Sequence, residues 1–252
     1  MKTNRRQRNV HKMFEIKDIK VNTPDIKQCP AAQCGVLMKH PFFSYVCGRS
    51  RSGKTVFMLN LLTDQKFYKG YFDNIFVLSP TANHLDPKYR VLDIPPENFF
   101  LPDVRVLDRI FEIQENADDI DAEKNLIILD DIASYKKFCH SPQIRKLAVM
   151  GRHHRLSCFC LSQRYMLLDV TLRCNITNLI YYQGNTNETM TIAREFCPPG
   201  WSYAQFRKAI EYVTKKKFSF LFIDKERDLD DTFGRYRQNL THTIKIQRNN
   251  SR

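Results

Sequence analysis

The sequence predicts an α/β domain built on a mostly parallel sheet covered on both faces. Three observations support this. Short apolar runs of strand length alternate along the chain with stretches of helical pattern, as βα units require. Those runs are nearly continuous in apolar character, as strands buried on both faces must be. The 252 residues are 42% hydrophobic, enough to fill one packed core and too many for a chain disordered throughout.

Residues 1–40 carry basic clusters and little periodicity and are expected to form an N-terminal arm. The opening MKTNRRQRNVHKMF has the charge of a signal peptide, but no apolar stretch of about 7 to 15 residues follows, so secretion is not expected. Residues 42–47 form an apolar run leading into GRSRSGKT, and the VFMLNLL behind it has the character of a buried helix. NIFVLSP (74–80) is a second strand candidate; a Pro-rich aromatic stretch follows, and VRVLD (104–108) suggests a further strand. EIQENADDIDAEKN (112–125) is polar and suggests helix, then loop, and NLIILDD (125–131) is the strongest buried-strand signal in the chain. A polar helix over 142–150 precedes the strand LSCFCLSQ (156–163). NLIYY (178–182) and FSFLFID (218–224) add two strands, separated by helices around 188–196 and 203–214. The folded domain is therefore expected over 41–225, followed by a charged tail over 226–252.

Gly48, Gly53, Lys54 and Thr55 complete GxxxxGK[ST] directly between a strand and a helix. With 8 Gly in 252 residues, two at this spacing arise by chance about 0.25 times, so the strand-loop-helix setting and the Lys and Thr carry the signal. Gly48, Arg49, Ser50, Arg51, Ser52, Gly53, Lys54 and Thr55 are the expected nucleotide cradle. Glycines let backbone N–H groups of residues 50–55 curl around a polyphosphate, and the helix starting near Lys54 points its positive end at the anion. Lys54 would reach the β- and γ-phosphates, and the Thr55 hydroxyl would be a ligand to Mg²⁺. At the end of LIILDD, Asp130 is the expected magnesium partner and Asp131 is placed to orient and activate an attacking water. ATP and Mg²⁺ are the cofactors this constellation calls for. The fold class becomes a three-layer P-loop NTPase of the RecA-like, ASCE kind.

Several function classes are excluded or disfavoured. No apolar run approaches the roughly 20 residues of a membrane-spanning helix. The eight cysteines show no CxxC pair or Cys/His metal spacing, and buried reduced thiols are expected. His153 and His154 lack a third ligand at metal spacing and are expected to be structural or interfacial. The formal net charge of +13 is a footprint for a polyanion, concentrated in Lys2, Arg5, Arg6, Arg8, Lys12, Lys17 and Lys20 and again in Lys215, Lys216 and Lys217. No zinc finger, helix-turn-helix or RNP pattern accompanies it, so contact with the backbone of duplex DNA is favoured over base reading.

GRHHRLSCFCLSQRY (151–165) resembles the segment of FtsK/HerA-type DNA-pumping ATPases in which a GR step precedes a strand ending in a polar residue and Gln. The resemblance is strongest to the viral branch, the poxvirus-type genome-packaging ATPases of large DNA viruses, to which TLRCNITNLIYY (171–182) is also similar. It covers about residues 40–225. It implies an ATP-driven translocase of double-stranded DNA, acting as a homo-oligomeric ring of five or six subunits with capsid or procapsid proteins as further partners. The location implied is the viral assembly site in the host cytoplasm, or the virion. Residue by residue, it implies that Asp131 is the catalytic acid, and that Gln163 is the polar sensor on a strand lying between those of Lys54 and Asp130. Arg152 is the implied arginine finger, with Arg155 and Arg173 as alternatives. The rival readings are a helicase-like P-loop ATPase, a nucleotide kinase, and a non-hydrolysing, nucleotide-gated DNA-binding scaffold. The kinase lacks a recognisable acceptor lid, and a passive scaffold would need neither Asp131 nor Gln163.

Overall fold

The computed structural model describes residues 26–81, 83–116, 123–228 and 234–244. Among them, nine strands form one sheet: β1 (Phe43–Cys47), β2 (Asn74–Leu78), β3 (Phe99–Phe100), β4 (Asn125–Asp130), β5 (Leu156–Ser162), β6 (Asn178–Tyr182), β7 (Phe220–Asp224), β8 (Tyr236–Gln238) and β9 (His242–Thr243). Their order is β3-β2-β4-β5-β1-β6-β7-β8-β9. From β3 to β6 every pairing is parallel. Beyond β6 the sheet turns antiparallel. β5 therefore lies between β1 and β4, where the resemblance placed it.

Alternation of side chains sorts the strands' apolar residues onto two faces. Tyr45, Cys47, Ile127, Leu129, Cys158 and Cys160 face one core. Val46, Leu126, Ile128, Phe159 and Leu161 face the other. The first core is covered by α3 (Val104–Glu115), α5 (Pro142–Met150), α7 (Thr186–Phe196) and α8 (Tyr203–Val213), with the shorter α4 (Lys136–Cys139) and α6 (Val170–Asn175) between them. The second is covered by α1 (Pro30–Gln33), α2 (Lys54–Thr63) and the aromatic residues Tyr68, Phe72 and Tyr89. The result is the three-layer arrangement expected. The helix starts are locally encoded: Ser141 accepts from the Ile144 N–H with Pro142 at the first helical position, and Asn185 with Glu188 and Ser202 with Gln205 form capping boxes.

One element differs in type. VRVLD does not form a strand; it opens α3, because the Asp103 carboxylate accepts from the Arg105 N–H and caps the helix. Leu107, Ile110, Phe111 and Gln114 then fall on one buried face at helical spacing, a period that a five-residue window cannot display. Two segments assigned outside the main domain also carry core residues. Cys29, Ala32, Leu37 and Met38 are buried ahead of β1, and β8 and β9 extend the sheet past β7. The seven cations assigned to the N-terminal arm lie outside the described residues, as do residues 117–122 and, in the tail, 229–233 and 245–252. All eight cysteines are free thiols. Among the described residues no helix is long and apolar enough to cross a membrane.

The extension is held by a buried charge. Arg237 is fully buried on β8; it lies 3.6 Å from Asp224, donates to the carbonyls of Val36 (2.9 Å) and Leu240 (3.1 Å), and covers the Phe222 ring at 4.2 Å. It thus joins the residues before β1 to those after β7. Removing Arg237 would leave the buried Asp224 carboxylate with Arg227, 3.5 Å away, as its remaining ion-pair partner among the described residues, a buried charge with too little compensation. Arg237→Met should lower unfolding free energy by about 3 kcal/mol in urea titrations at neutral pH. The double variant with Asp224→Asn should cost less than the sum of the two single changes. A loss under about 1 kcal/mol would show that Asp224 does not depend on this partner.

Candidate active site

Parallel register brings the ends of β1, β5 and β4 to one edge of the sheet, with Cys47 opposite Ser162 and Asp130 opposite Leu161. The loop leaving β1 cannot carry a side chain at Gly48, where a Cβ would stand 2.5 Å from Tyr182 Cβ. At Gly53 φ is 105°, and a Cβ would meet the Phe218 ring at 3.2 Å. Gly53 then hands over to α2 with no side-chain cap and no acidic residue in the first turn. The first N–H groups and the positive end of a ten-residue helix therefore face the loop uncompensated, a ready anion site.

A cleft of about 430 Å³ opens there, and Ser50, Arg51, Ser52, Gly53, Lys54, Thr55, Asp130, Asp131 and Gln163 all line it. Gly48 and Arg49 flank it: Gly48 is buried beneath Tyr182, and Arg49 donates to the Gly184 carbonyl at 3.0 Å. The Lys54 ammonium donates to the carbonyls of Gly48 (2.9 Å) and Arg49 (3.0 Å), which braces the loop. Burial lowers the Lys54 pKa, while Asp131 and Asp130 pull it back up. The Ser52 hydroxyl oxygen is buried and has no hydrogen-bond partner, an orphan that a phosphate oxygen would satisfy.

Asp130 ends β4. Burial raises its pKa from the ordinary 3.8, the Tyr89 hydroxyl opposes this by donating to Oδ2 at 2.8 Å, and the neighbouring Asp131 raises it further. Asp131 takes the left-handed conformation (φ 54°), turning its carboxylate off the strand direction, and Gln163 Nε2 donates to its Oδ1 at 3.1 Å. Gln163 is held from both sides: the Ser162 hydroxyl turns the chain by accepting from the Arg164 N–H, and the Tyr165 N–H donates to Glu188.

The arginines separate. Arg152 lies at the opposite edge of the sheet, before β5 begins, and pairs with Glu226 at 3.1 Å while remaining 55% exposed. Seven residues of β5 lie between it and Gln163, about 20 Å of strand, so Arg152 is out of reach of the cleft in its own chain. Arg155 sits just ahead of the same strand with φ 51°. Arg173 is buried; it pairs with Glu195 at 2.8 Å, donates to the Leu168 carbonyl and lies over the Tyr165 ring. That pairing makes it a core residue and removes it as an alternative finger. His154 meets the Phe111 ring edge-on and lies 3.7 Å from Glu115. Among the described residues no cluster of metal-ligating side chains forms.

Tyr89, Lys88, Asp86 and Phe218 also belong to the site. They come from the Pro-rich segment after β2 and from the turn into β7, and no local motif marks them. Only the tertiary fold brings them to the cleft.

The buried Asp130 has a consequence for stability. Because its folded pKa is raised, the stability it contributes is fully present below pH 3.8 and is lost as pH rises through the folded value. Asp130→Asn keeps the acceptor for Tyr89 and removes the charge, so the variant should melt higher than the parent at pH 7 without ligand. The gain should vanish near pH 3. A variant that melts lower at neutral pH would show that the ionised carboxylate is already well compensated.

The model of the poxvirus A32 protein family matches residues 33–197. No curated protein matches the chain. Among solved structures, the DNA-packaging ATPase B204 of Sulfolobus turreted icosahedral virus is similar at a TM-score of 0.52 and 16% identity, over 74% of this chain and 94% of that one. The genome-packaging NTPase B204 of Sulfolobus turreted icosahedral virus 2, in complex with ATP-γS, gives 0.53 and 14%, over 79% and 96%. EssC (ATPases 2 and 3) of Geobacillus thermodenitrificans gives 0.52 and 11%, over 81% of this chain and 41% of that one. At these identities the structures speak for the fold, whereas the family match spans well over half of the chain: it belongs to the poxvirus A32 protein family.

Proposed function

We propose that the chain is an ATP-hydrolysing motor that drives double-stranded DNA into a viral capsid, working as a ring of identical subunits at the site of virion assembly. The observation that carries hydrolysis is the hydrogen bond between Gln163 and Asp131, which couples the ends of β5 and β4 beside the Lys54 loop. A cleft that only held nucleotide would need the loop but neither of these. Family membership and the B204 neighbours, described as DNA-packaging and genome-packaging enzymes, support the choice of work done.

The residues divide the task. Backbone N–H groups of residues 50–55 and the Lys54 ammonium would hold the β- and γ-phosphates, and the orphan Ser52 hydroxyl would gain a partner. Thr55 and Asp130 offer the hard oxygen donors that suit Mg²⁺. Bound there, the ion would neutralise charge on the phosphates during transfer. Asp131 would accept the proton of the attacking water, and Gln163 would orient that water while sensing the γ-phosphate through the same amide. Arg152, displayed at the far edge, would complete a neighbour's cleft. DNA would be held by its phosphates through exposed cations such as Lys215, Lys216 and Lys217, with little regard to sequence.

The deciding experiment is ATPase rate against protein concentration, with and without duplex DNA. Rate per subunit should rise with concentration as rings form and rise again with DNA. Lys54→Ala should abolish turnover and weaken ATP binding; Asp131→Asn should bind ATP like the parent but turn over about 10² to 10⁴ times more slowly. An assembled enzyme indifferent to DNA would end the translocase reading and leave an ATPase of another kind.

Arg152 permits a complementation test. Arg152→Ala protein alone should lose about 10³-fold or more in turnover. Mixed with Lys54→Ala protein it should recover part of it, because the second variant lends its intact Arg152 to the first one's intact loop. Mixed rings that form yet show no recovery would remove Arg152 from that role.

A further inference from the structure

We infer that Phe218 is a stacking platform for the base of the bound nucleotide, an assignment that rests on reading the Lys54 loop as a nucleotide site. Phe218 lies outside residues 33–197, so the family match is silent about it.

Its position is the first observation. β7 runs antiparallel to β6, with Phe220 opposite Tyr182, so the turn before β7 arrives at the same edge as the phosphate loop. Phe218 lines the cleft and lies against the loop backbone at Gly53. Beneath it, Tyr182 and Phe57 pack around Phe220 at 5.2 and 4.9 Å between ring centroids, a rigid aromatic bed.

Its conformation is the second. FSFLFID suggests a strand from residue 218 onward, yet the strand begins at Phe220, and Phe218 has a φ of 66°. A bulky aromatic residue is strained in the left-handed region, and such strain concentrates at functional sites. The turn is held from outside. The Ser219 N–H donates to the Lys216 carbonyl, the Phe220 N–H donates to Asn239 Oδ1, and Gln238 Nε2 donates to the Ser219 hydroxyl. The β8–β9 hairpin therefore clamps a conformation in which the ring stays 58% exposed instead of joining the core.

Polarity along the cleft supplies the direction. Asp130, Asp131 and Gln163 mark the end where the terminal phosphate would react, on the β4 side of the loop. Phe218 lies beyond β6 on the other side, where the nucleoside end would emerge. The Lys217 ammonium lies over the ring, 4.9 Å from its centroid, a cation–π contact that leaves the opposite face for a base and adds positive charge for an anionic ligand. An aromatic face recognises any base by its π surface and leaves its hydrogen-bonding edges unread. The platform should therefore favour nucleotides over inorganic polyphosphate and discriminate little between ATP and GTP.

Calorimetric titration of the full chain with ATP, GTP and inorganic triphosphate tests this. Phe218→Gly should weaken ATP and GTP alike by roughly tenfold, the scale of one base–aromatic stack. It should leave inorganic triphosphate unchanged and the melting temperature equal or higher, because glycine accepts the positive φ without strain. Phe218→Leu, which keeps an apolar contact on Gly53 but no aromatic face, should show the same selective loss, and Phe218→Trp should retain affinity. Unchanged ATP affinity in the Gly and Leu variants, or a parallel loss of ATP and triphosphate, overturns the platform. Failure of the nucleotide site itself would look different: the parent would bind none of the three, or Lys54→Ala would bind them all as well as the parent.

Discussion

The site depends on one arrangement, the parallel seating of β5 between β1 and β4. Parallel strands deliver their carboxyl ends to a common edge, and register decides which residues meet there. With Cys47 level with Ser162 and Asp130 level with Leu161, the GRSRSGKT loop, the acidic pair and Gln163 emerge around one cleft, where Gln163 donates to Asp131. A slip of one residue in either ladder would turn every side chain of that strand to the opposite face. Both faces are packed with large apolar groups, so each slip would drive aromatic rings into the wrong core. The two cores thus protect the geometry of the site, and the second reaches it directly through Tyr89, which packs in that core and donates to Asp130.

That edge concentrates what a fold tends to avoid. Burial raises the pKa of Asp130 and lowers that of Lys54, and each moderates the other's displacement. Among the described residues six non-glycine residues have positive φ, and three of them, Arg51, Asp131 and Phe218, line the cleft. Strain and charge burial meeting in one place mark it as the part of the molecule selected for something other than stability. The compensation comes from elsewhere, from the Tyr89 hydroxyl, from the Ser162 turn and from the clamp that β8 places on the approach to β7.

The sequence made the centre of this picture legible because its signals are local. GRSRSGKT and LIILDD each hold strand, turn and chemistry within a few residues, and the buried parallel strands announce themselves as apolar runs. Legibility failed where meaning is tertiary or the window is short. VRVLD shows its helical period only once Ile110, Phe111 and Gln114 are counted, and β3, β8 and β9 are two or three residues long. Arg173 appears available in sequence and is locked between Glu195 and Leu168 in space. Tyr89 and Phe218 enter the site from segments whose own patterns say nothing of phosphate.

Charge balance gives the separation between Arg152 and the cleft its meaning. Arg51, Lys54 and Lys88 face Asp86, Asp130 and Asp131 across the cleft, so its own charges cancel. A bound polyphosphate brings several negative charges into that neutral space, and one divalent cation does not offset the further charge that builds up during phosphoryl transfer. On the proposed reading, the remaining cation would come from outside the cleft. Within the chain Arg173 is committed to the core, while Arg152 and Arg155 stand at the opposite edge; among the described residues Arg152 is held by a solvent-facing ion pair with Glu226 that is worth little and easily exchanged. On the proposed reading, a subunit would hold the nucleotide cradle while its reaction centre waited on Arg152 of a neighbouring copy. Stacking the amino edge of one copy against the carboxyl edge of the next would close every site except an unpaired last one, and only a closed ring leaves none.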